Sequence, residues 1–426
     1  MKTLVRNALS ISVAATFLAG CGGLSPIGVP RALQQSRVFA PPSANSNAVS
    51  ANSPYRVLYS FAWGTSDGSE PTAGLTGVNG TLYGTTEIGG GGCKPYGPGC
   101  GTVYSVSTTG VENVLHSFRH HPNHLYTDAA FAGLIDVKGT LYGTTAGGGE
   151  RVGTVFSIGT TGQLKILHVF SGACGYTDGF SPQAGLIDVE GTLYGTTYFG
   201  GSCKDQREGF GTVYSISTTG QERVVYRFRG KSDGANPQAG LIDVNGTLYG
   251  TTVKGGGTGC FGGGCGTVYS ISRTGKEKVL HRFQGSDGAN PQAGLIGVNG
   301  TLYGTTANGG STGAGTVYTL RMTGKEQVLY SFRGDTDGAQ PEAALIDVNG
   351  TLYGTTSYGC ISYSSQGCGT VFTISTTGSE KVLHEFAGSA DGAAPKAALV
   401  NVKGRLYGTT SLGGAGGGGT VFTLSP

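Results

Sequence analysis

Seven aspartates occupy the same place in a repeated sequence pattern, and they are the residues best suited to chemistry. Most of them precede glycine, as in Ser232-Asp233-Gly234, where an aspartate commonly closes a turn by bonding nearby backbone amides. A calcium loop needs several oxygen ligands close together, and each repeat supplies one constant carboxylate. The pattern therefore favours structural turns over ion binding or catalysis. The seven are Asp67, Asp128, Asp178, Asp233, Asp287, Asp337 and Asp391.

Histidines are the second group with chemical potential. His120, His121 and His124 cluster just before Asp128, and clustered imidazoles can bind a transition metal. A solvated loop is the simpler interpretation, so metal binding stays open. The other four histidines share one strand position with tyrosines of other repeats, which indicates a packing role. That position holds His116, His168, His281, His384, Tyr59, Tyr226 and Tyr330.

Eight cysteines follow Cys21, and their placement predicts four disulfides of an exported protein. Six of them form three close pairs, each within one loop, and the other two lie in loops on one side of the predicted fold. A zinc site is disfavoured because spacings are irregular and paired Cys-x-x-Cys motifs are missing. The expected pairs are Cys93 and Cys100, Cys260 and Cys265, Cys360 and Cys368, and Cys174 and Cys203.

A tandem repeat that begins near residue 55 positions all of these residues. The pentapeptide Leu-Tyr-Gly-Thr-Thr and the tetrapeptide Gly-Thr-Val-Tyr/Phe each occur seven times. Successive pentapeptides begin 50 to 59 residues apart. The pentapeptides start at Leu82, Leu141, Leu193, Leu248, Leu302, Leu352 and Leu406.

Each repeat resolves into four short strands, named A to D in chain order. In the fourth repeat, strand A lies near 241–244, and Asn245-Gly246 predicts a tight type I′ hairpin turn before strand B at 247–252. Strand C follows at 266–272, and 224–228 is strand D of the third repeat. Seven such units predict an all-β fold, a seven-bladed β-propeller of four-stranded antiparallel blades. A solenoid is the alternative.

The two ends of the repeat region predict how the ring closes. The region starts with an isolated strand D at 56–61 and finishes with strands A, B and C, the last at 419–424. The N-terminal strand is therefore expected to complete the last blade. Tight A–B and C–D turns fall on one face, and the B–C and D–A loops fall on the other. That loop face carries the aspartates, the cysteines and Trp63, and it is the predicted binding face.

Composition limits the classes of protein that fit this chain. Glycine makes up 81 of 426 residues, which suggests low complexity unless the glycines punctuate a repeat. Charged residues amount to 12% and the formal net charge is +3, so nothing favours a nucleic-acid partner. P-loop, dinucleotide and Gly-x-Ser-x-Gly motifs are missing from the sequence, and no cofactor is expected.

Residues 1–54 are expected to lie outside the propeller, which covers 55–426. Residues 1–20 join a short basic start to an apolar run and predict a secretory signal peptide. The stretch Leu18-Ala19-Gly20-Cys21 resembles a bacterial lipobox, which implies cleavage before Cys21 and lipidation of that residue. Residues 21–54 are rich in Ser, Asn, Ala and Pro, and they predict a disordered tether.

The repeat resembles a known family. The segment Pro237-Gln238-Ala239-Gly240-Leu241, the Asn245-Gly246 turn and both signatures are similar to the bacterial GloVer (Gloeo–Verruco) extracellular tandem repeat, over residues 55–426. The resemblance implies an exported protein with an anchoring signal, from a family whose biochemical activity is uncharacterised. The strand order also resembles kelch propellers, which is an analogy of fold alone.

Non-catalytic binding is the function expected from these observations. We expect a lipid-anchored monomer of the bacterial cell envelope, exposed at the outer membrane or cell surface, that presents its disulfide-stapled loop face to a glycan or a protein. One alternative is a propeller enzyme of lyase, hydrolase or quinoprotein type, with polar residues that break the sevenfold pattern at the central channel. The other is a structural component of the envelope.

Overall fold

Seven four-stranded antiparallel sheets form a ring, which confirms the predicted seven-bladed β-propeller. The computed structural model describes residues 54–63, 67–91, 100–119, 132–147, 152–171, 178–201, 209–359 and 368–426. Across these residues no helix is long and apolar enough to cross a membrane.

The strands of each blade are given in the order A, B, C and D. Blade 1 comprises Thr76–Val78, Thr81–Thr86, Thr102–Ser107 and Glu112–Ser117; blade 2, Ile135–Val137, Thr140–Thr145, Thr154–Gly159 and Leu164–Val169; blade 3, Ile187–Val189, Thr192–Thr197, Thr212–Ser217 and Glu222–Arg227. Blade 4 comprises Ile242–Val244, Thr247–Thr252, Thr267–Ser272 and Glu277–Arg282; blade 5, Ile296–Val298, Thr301–Thr306, Thr316–Arg321 and Glu326–Ser331; blade 6, Ile346–Val348, Thr351–Thr356, Thr370–Ile374 and Glu380–Glu385. Blade 7 comprises Val400–Val402, Arg405–Thr410, Gly417–Leu424 and Tyr55–Ala62. A short pairing also joins Gly68–Ser69 to Ile88–Gly89.

The ring closes through a sheet made from both ends of the repeat region. Tyr55–Ala62 pairs antiparallel with Gly417–Leu424, with Tyr55 opposite Leu424 and Ser60 opposite Thr420. The first strand is therefore strand D of blade 7, as the sequence predicts. This pairing covers the outer edge of strand C in that blade, which would otherwise expose unpaired backbone groups.

The A–B hairpins have the backbone conformation that their sequences favour. Asn245 and Gly246 have φ angles of 53° and 80°, which fit a type I′ turn. In blade 3 the same turn holds Glu190 at a φ of 55°. The aspartate of strand A supports the turn in blade 4, where Asp243 accepts a hydrogen bond from the Gly246 amide at 3.2 Å.

The glycine of each Leu-Tyr-Gly-Thr-Thr motif makes room for an aromatic ring of strand C in the same blade. A Cβ atom on Gly304 would lie 2.5 Å from the Tyr318 hydroxyl oxygen, and one on Gly354 would lie 2.5 Å from Phe372 Cζ. Both rings are fully buried. A glycine in the middle of a strand usually marks the close approach of another backbone, but here a side chain within the same blade is the cause.

Strand A is the innermost strand of a blade and strand D the outermost, because A strands of successive blades contact one another. The core lies between blades. Leu302 and Leu320 of blade 5 pack in one cluster with Tyr249 and Phe283 of blade 4. Phe283 also meets Tyr318 edge to face, with ring centroids 5.1 Å apart. Side chains from neighbouring repeats therefore meet at the blade junctions.

Candidate functional site

The recurring aspartates of the D–A loops turn back onto the end of strand D. Asp337 is 2% exposed, and its carboxylate accepts hydrogen bonds from the Tyr330 hydroxyl at 2.7 Å and the Arg333 backbone amide at 3.0 Å. Asp233 accepts a bond from the Tyr226 hydroxyl at 2.9 Å in the same way. Each of these carboxylates closes its own loop and fixes the tyrosine seven residues earlier.

Where strand D carries histidine, the imidazole replaces the phenol. His281 Nε2 lies 2.9 Å from Asp287 Oδ2, and the Gln284 backbone amide donates to the same carboxylate at 2.8 Å. Burial acts to raise the pKa of Asp287, but the bonds from His281 and the backbone outweigh it and hold the pKa below its usual value. Two further pairs, His168 with Asp178 and His384 with Asp391, have a nitrogen–oxygen distance of 3.4 Å.

A glutamate from the next blade joins these pairs. Glu277 begins strand D of blade 4, and its Oε2 lies 3.4 Å from the Tyr226 hydroxyl of blade 3. Its Oε1 is buried and accepts no hydrogen bond from the part of the chain that the structure describes. Burial, aided by the charge of Asp233, raises the pKa of Glu277. The same buried, unbonded oxygen recurs in Glu112, Glu222, Glu326 and Glu380, which also have raised pKa values.

One of these junction clusters combines three groups that can ligate a cation. Ligand atoms of His281, Asp287 and Glu326 lie within 4.8 Å of one another. At the preceding junction Tyr226 replaces the histidine and keeps the bond to Asp233. Because the cluster closes a junction with either residue, its geometry is explained without an ion.

The remaining residues singled out from the sequence lie in separate places. Trp63 is 51% exposed, and Gly417 lies beside its ring. Asp67 accepts bonds from the Tyr59 hydroxyl and the Ala62 amide, both at 2.9 Å. These contacts place Asp67 in the same loop-closing role as the other described aspartates.

A disulfide joins Cys260 and Cys265, as the sequence predicts. Cys100 and Cys368 are also disulfide-bonded, and their predicted partners fall outside the described residues. The other predicted residues that lie outside this part of the chain are Cys21, Cys93, Cys174, Cys203, Cys360, Asp128, His120, His121 and His124.

The junction between blades 3 and 4 departs from the repeat. A cleft of about 430 Å³ lies there, over the cluster of Tyr226, Asp233 and Glu277. Four exposed cationic side chains also line it. Arg229 and Lys231 follow strand D of blade 3, and Lys278 and Arg282 belong to strand D of blade 4.

Among the blade junctions whose residues are all described, no other has a cation at each of these four positions. Between blades 5 and 6 the equivalent residues are Arg333, Asp335, Lys381 and Glu385, and between blades 4 and 5 Gln284, Gln327 and Ser331 occupy three of them. Positive charge is concentrated in this part of the chain. Residues 209–284 hold nine Lys or Arg and four Asp or Glu, whereas the rest of 55–426 holds fifteen Lys or Arg and twenty-one Asp or Glu. The cleft is thus a local basic site on a propeller that is otherwise acidic. Sequence reasoning missed it because its two halves belong to different repeats.

A second cavity, of about 740 Å³, lies near the inner strands of blades 6 and 7. Its lining includes Asp347, Tyr353 and Asn401, and Asp347 carries the one side-chain carboxylate among the lining residues. A hydrolase of the common two-carboxylate type needs a pair of acids. This cavity therefore does not hold an acid pair of that type, which concerns the hydrolase form of the enzyme alternative alone.

Fold and junctions together define a tandem-repeat β-propeller. A family model, described as the Gloeobacter/Verrucomicrobia repeat, matches residues 47–262 and 260–426. The chain belongs to this family. A search of curated proteins finds no match.

Several solved structures resemble the chain at low sequence identity. The GH74 enzyme of Niastella koreensis has a TM-score of 0.51 at 13% identity, covering 87% of this chain and 53% of its own. A gluconolactonase from Xanthomonas campestris has a TM-score of 0.40 at 14% identity, with coverages of 67% and 82%. An α-L-arabinofuranosidase from Fusarium graminearum has a TM-score of 0.44 at 14% identity, with coverages of 72% and 92%. At such identity these likenesses concern the fold and do not transfer an activity.

Proposed function

We propose that this protein is an exported, lipid-anchored propeller that binds a glycan or a protein and catalyses no reaction. The observation behind the proposal is the cleft between blades 3 and 4, where four repeat positions carry cations at the same time. The shared cluster of Tyr226, Asp233 and Glu277 accounts for the packing of this junction. The four cations are exposed and do not belong to that cluster, so they are the groups available to a ligand.

The distribution of shifted acids supports binding over catalysis. Catalytic acids are usually single groups whose surroundings differ from the rest of the protein. Here a raised pKa recurs in Glu112, Glu222, Glu277, Glu326 and Glu380, which hold the same place in five repeats and so identify a feature of the architecture. Burial also raises the pKa of Glu87 and of Glu342, which lie outside that place.

A screen of the purified mature protein tests the binding function. The folded protein is immobilised and presented with neutral and acidic glycans and with envelope extracts, and the heat-denatured protein is the control. We expect the folded form to retain a ligand that the denatured form does not. Failure to retain any ligand, or hydrolysis of the glycans offered, would contradict the proposal.

The lipid anchor is supported by the lipobox-like Leu18-Ala19-Gly20-Cys21, and export is supported by the Cys260–Cys265 disulfide, which suits an oxidising compartment. Cys21→Ala is expected to move the protein from the membrane to the soluble fraction, whereas the control Ser25→Ala leaves it membrane-bound. Mass spectrometry of the N-terminal peptide should show the lipid on Cys21. An unmodified thiol there would refute the anchor.

A further inference from the structure

The charge of the cleft between blades 3 and 4 selects for an anion. Arg229, Lys231, Lys278 and Arg282 face two acids, and of these Asp233 is 8% exposed and already engaged by hydrogen bonds. The cleft is therefore net positive. Guanidinium groups bind carboxylate and sulfate in a two-bond geometry, and two arginines flank this cleft.

The Arg282 side chain is held in place across the cleft. Its Nε donates a hydrogen bond to the Ser232 carbonyl at 3.1 Å, which links strand D of blade 4 to the loop after strand D of blade 3. A cation that is already positioned loses less rotational freedom when a ligand binds. Arg282 is accordingly the best-placed single contact for an acidic group.

The cleft also contains a hydrogen-bond acceptor. Glu277 is one of the lining residues, and its Oε2 lies 3.4 Å from the Tyr226 hydroxyl. Sulfate and chloride have no hydrogen to donate to such a carboxylate. A sugar ring with free hydroxyls can donate to Glu277, and an acidic group on the same ring or its neighbour can bind the cations.

We infer that this cleft binds a segment of an acidic polysaccharide, in which sugar rings carry carboxylate or sulfate groups beside free hydroxyls. The inference rests on the proposed binding function and names its ligand class. The volume of about 430 Å³ falls in the range of small-ligand sites. The cleft lies between the outermost strands of two neighbouring blades. Nucleic acid fits less well, since none of the lining residues is an exposed aromatic on which a base could stack.

Calorimetric titration of the full mature protein tests the ligand class. The probes are tetragalacturonate, a sulfated heparin-derived tetrasaccharide, the methyl ester of tetragalacturonate, and tetraglutamate. We expect one molecule of an acidic tetrasaccharide to bind, with an affinity that falls as salt rises, and the ester to bind at least tenfold more weakly. Equal or tighter binding of tetraglutamate would overturn the glycan assignment, and equal binding of the ester would overturn the role of charge.

The repeat itself provides a matched control for the site. Arg229 and Lys278 occupy the same repeat positions as Arg333 and Lys381 between blades 5 and 6. The double substitution R229Q/K278Q is expected to weaken binding of the acidic tetrasaccharide at least tenfold, and R333Q/K381Q less than twofold. Equal losses in the two variants would overturn the location. All four side chains are exposed, and an unchanged melting temperature verifies the fold.

A second variant tests sufficiency. Asp335 and Glu385 occupy the positions of Lys231 and Arg282, so D335K/E385R gives the junction between blades 5 and 6 the same four cations. We expect the number of bound tetrasaccharides to rise from one to two, and an unchanged stoichiometry would contradict the inference. If the protein retains some ligand in the glycan and extract screen but R229Q/K278Q does not affect it, the inference fails and the proposed function stands. If it retains no ligand at all, the proposed function itself fails.

Discussion

Replacing Glu112 with glutamine is expected to stabilise the protein at alkaline pH and to have little effect at acidic pH. Glu112 begins strand D of blade 1, and its Oε1 is buried with no hydrogen-bond partner among the described residues. Burial, followed by the negative charge of Asp67, raises its pKa from 4.5 to about 7. The folded protein therefore holds this proton more tightly than the unfolded chain does.

The sign and size of the effect follow from linkage. A raised folded pKa gives stabilisation that is complete below pH 4.5 and is lost as the pH rises through about 7. At about 1.36 kcal/mol for each pKa unit, the loss has an upper limit of about 3.4 kcal/mol. Solvent screens this partly exposed carboxyl, which reduces the expected value to about 1–2 kcal/mol. Glutamine has a similar shape and cannot ionise, so the variant avoids this loss.

Urea unfolding of parent and variant at pH 5 and pH 8.5 measures the effect. We expect the stability of Glu112→Gln relative to the parent to rise by about 1–2 kcal/mol between the two pH values. Glu190→Gln is the control, because the Arg273 hydrogen bond lowers the pKa of Glu190 and its loss cannot produce a gain at high pH. A relative stability of Glu112→Gln that stays constant or falls with pH would refute the reasoning.

Three other perturbations test the architecture. Deleting residues 55–61 removes strand D of blade 7 and should sharply lower the melting temperature or cause aggregation, whereas an equal deletion within the predicted tether should not. Asp337→Asn should cost about 2 kcal/mol in urea unfolding because it disrupts two buried hydrogen bonds, while the exposed Asp335→Asn should change stability by less than about 0.5 kcal/mol. Gly304→Ala should cost about 1–3 kcal/mol, since its Cβ would overlap the strand C tyrosine, and Gly257→Ala, which has open space, should be close to neutral; equal effects would contradict the packing explanation.

The fold was predictable because its signals are local and repeated. A hairpin turn such as Asn245-Gly246 depends on two adjacent residues, and the recurring motifs place every strand relative to such turns. Even the closure at Tyr55–Ala62 follows from counting strands. The reason for the mid-strand glycine was not predictable in the same way. It depends on how the ring of Tyr318 leans across to the neighbouring strand, which periodicity does not specify.

The junction clusters were hidden by variation in loop length. The sequence shows a recurring aspartate and a recurring His/Tyr position, but the spacing between them differs: His281 precedes Asp287 by six residues, and His168 precedes Asp178 by ten. The third member, a glutamate such as Glu326, comes from the next repeat. A direct comparison of each strand D with the next would have been the signal for both the clusters and the basic cleft.

The fold does not require the buried glutamates, because two blade junctions form with another residue at the glutamate position. Leu164 occupies the glutamate position in blade 2 and packs with Phe156. Tyr55 occupies it in blade 7 and stacks on His384, with ring centroids 3.7 Å apart. Five repeats nevertheless keep a carboxylate whose buried oxygen has no donor, at a cost in stability near neutral pH. The four cations beside Glu277 distinguish one of these junctions from the others, so we expect an acidic sugar to bind at that junction and not at the equivalent glutamates.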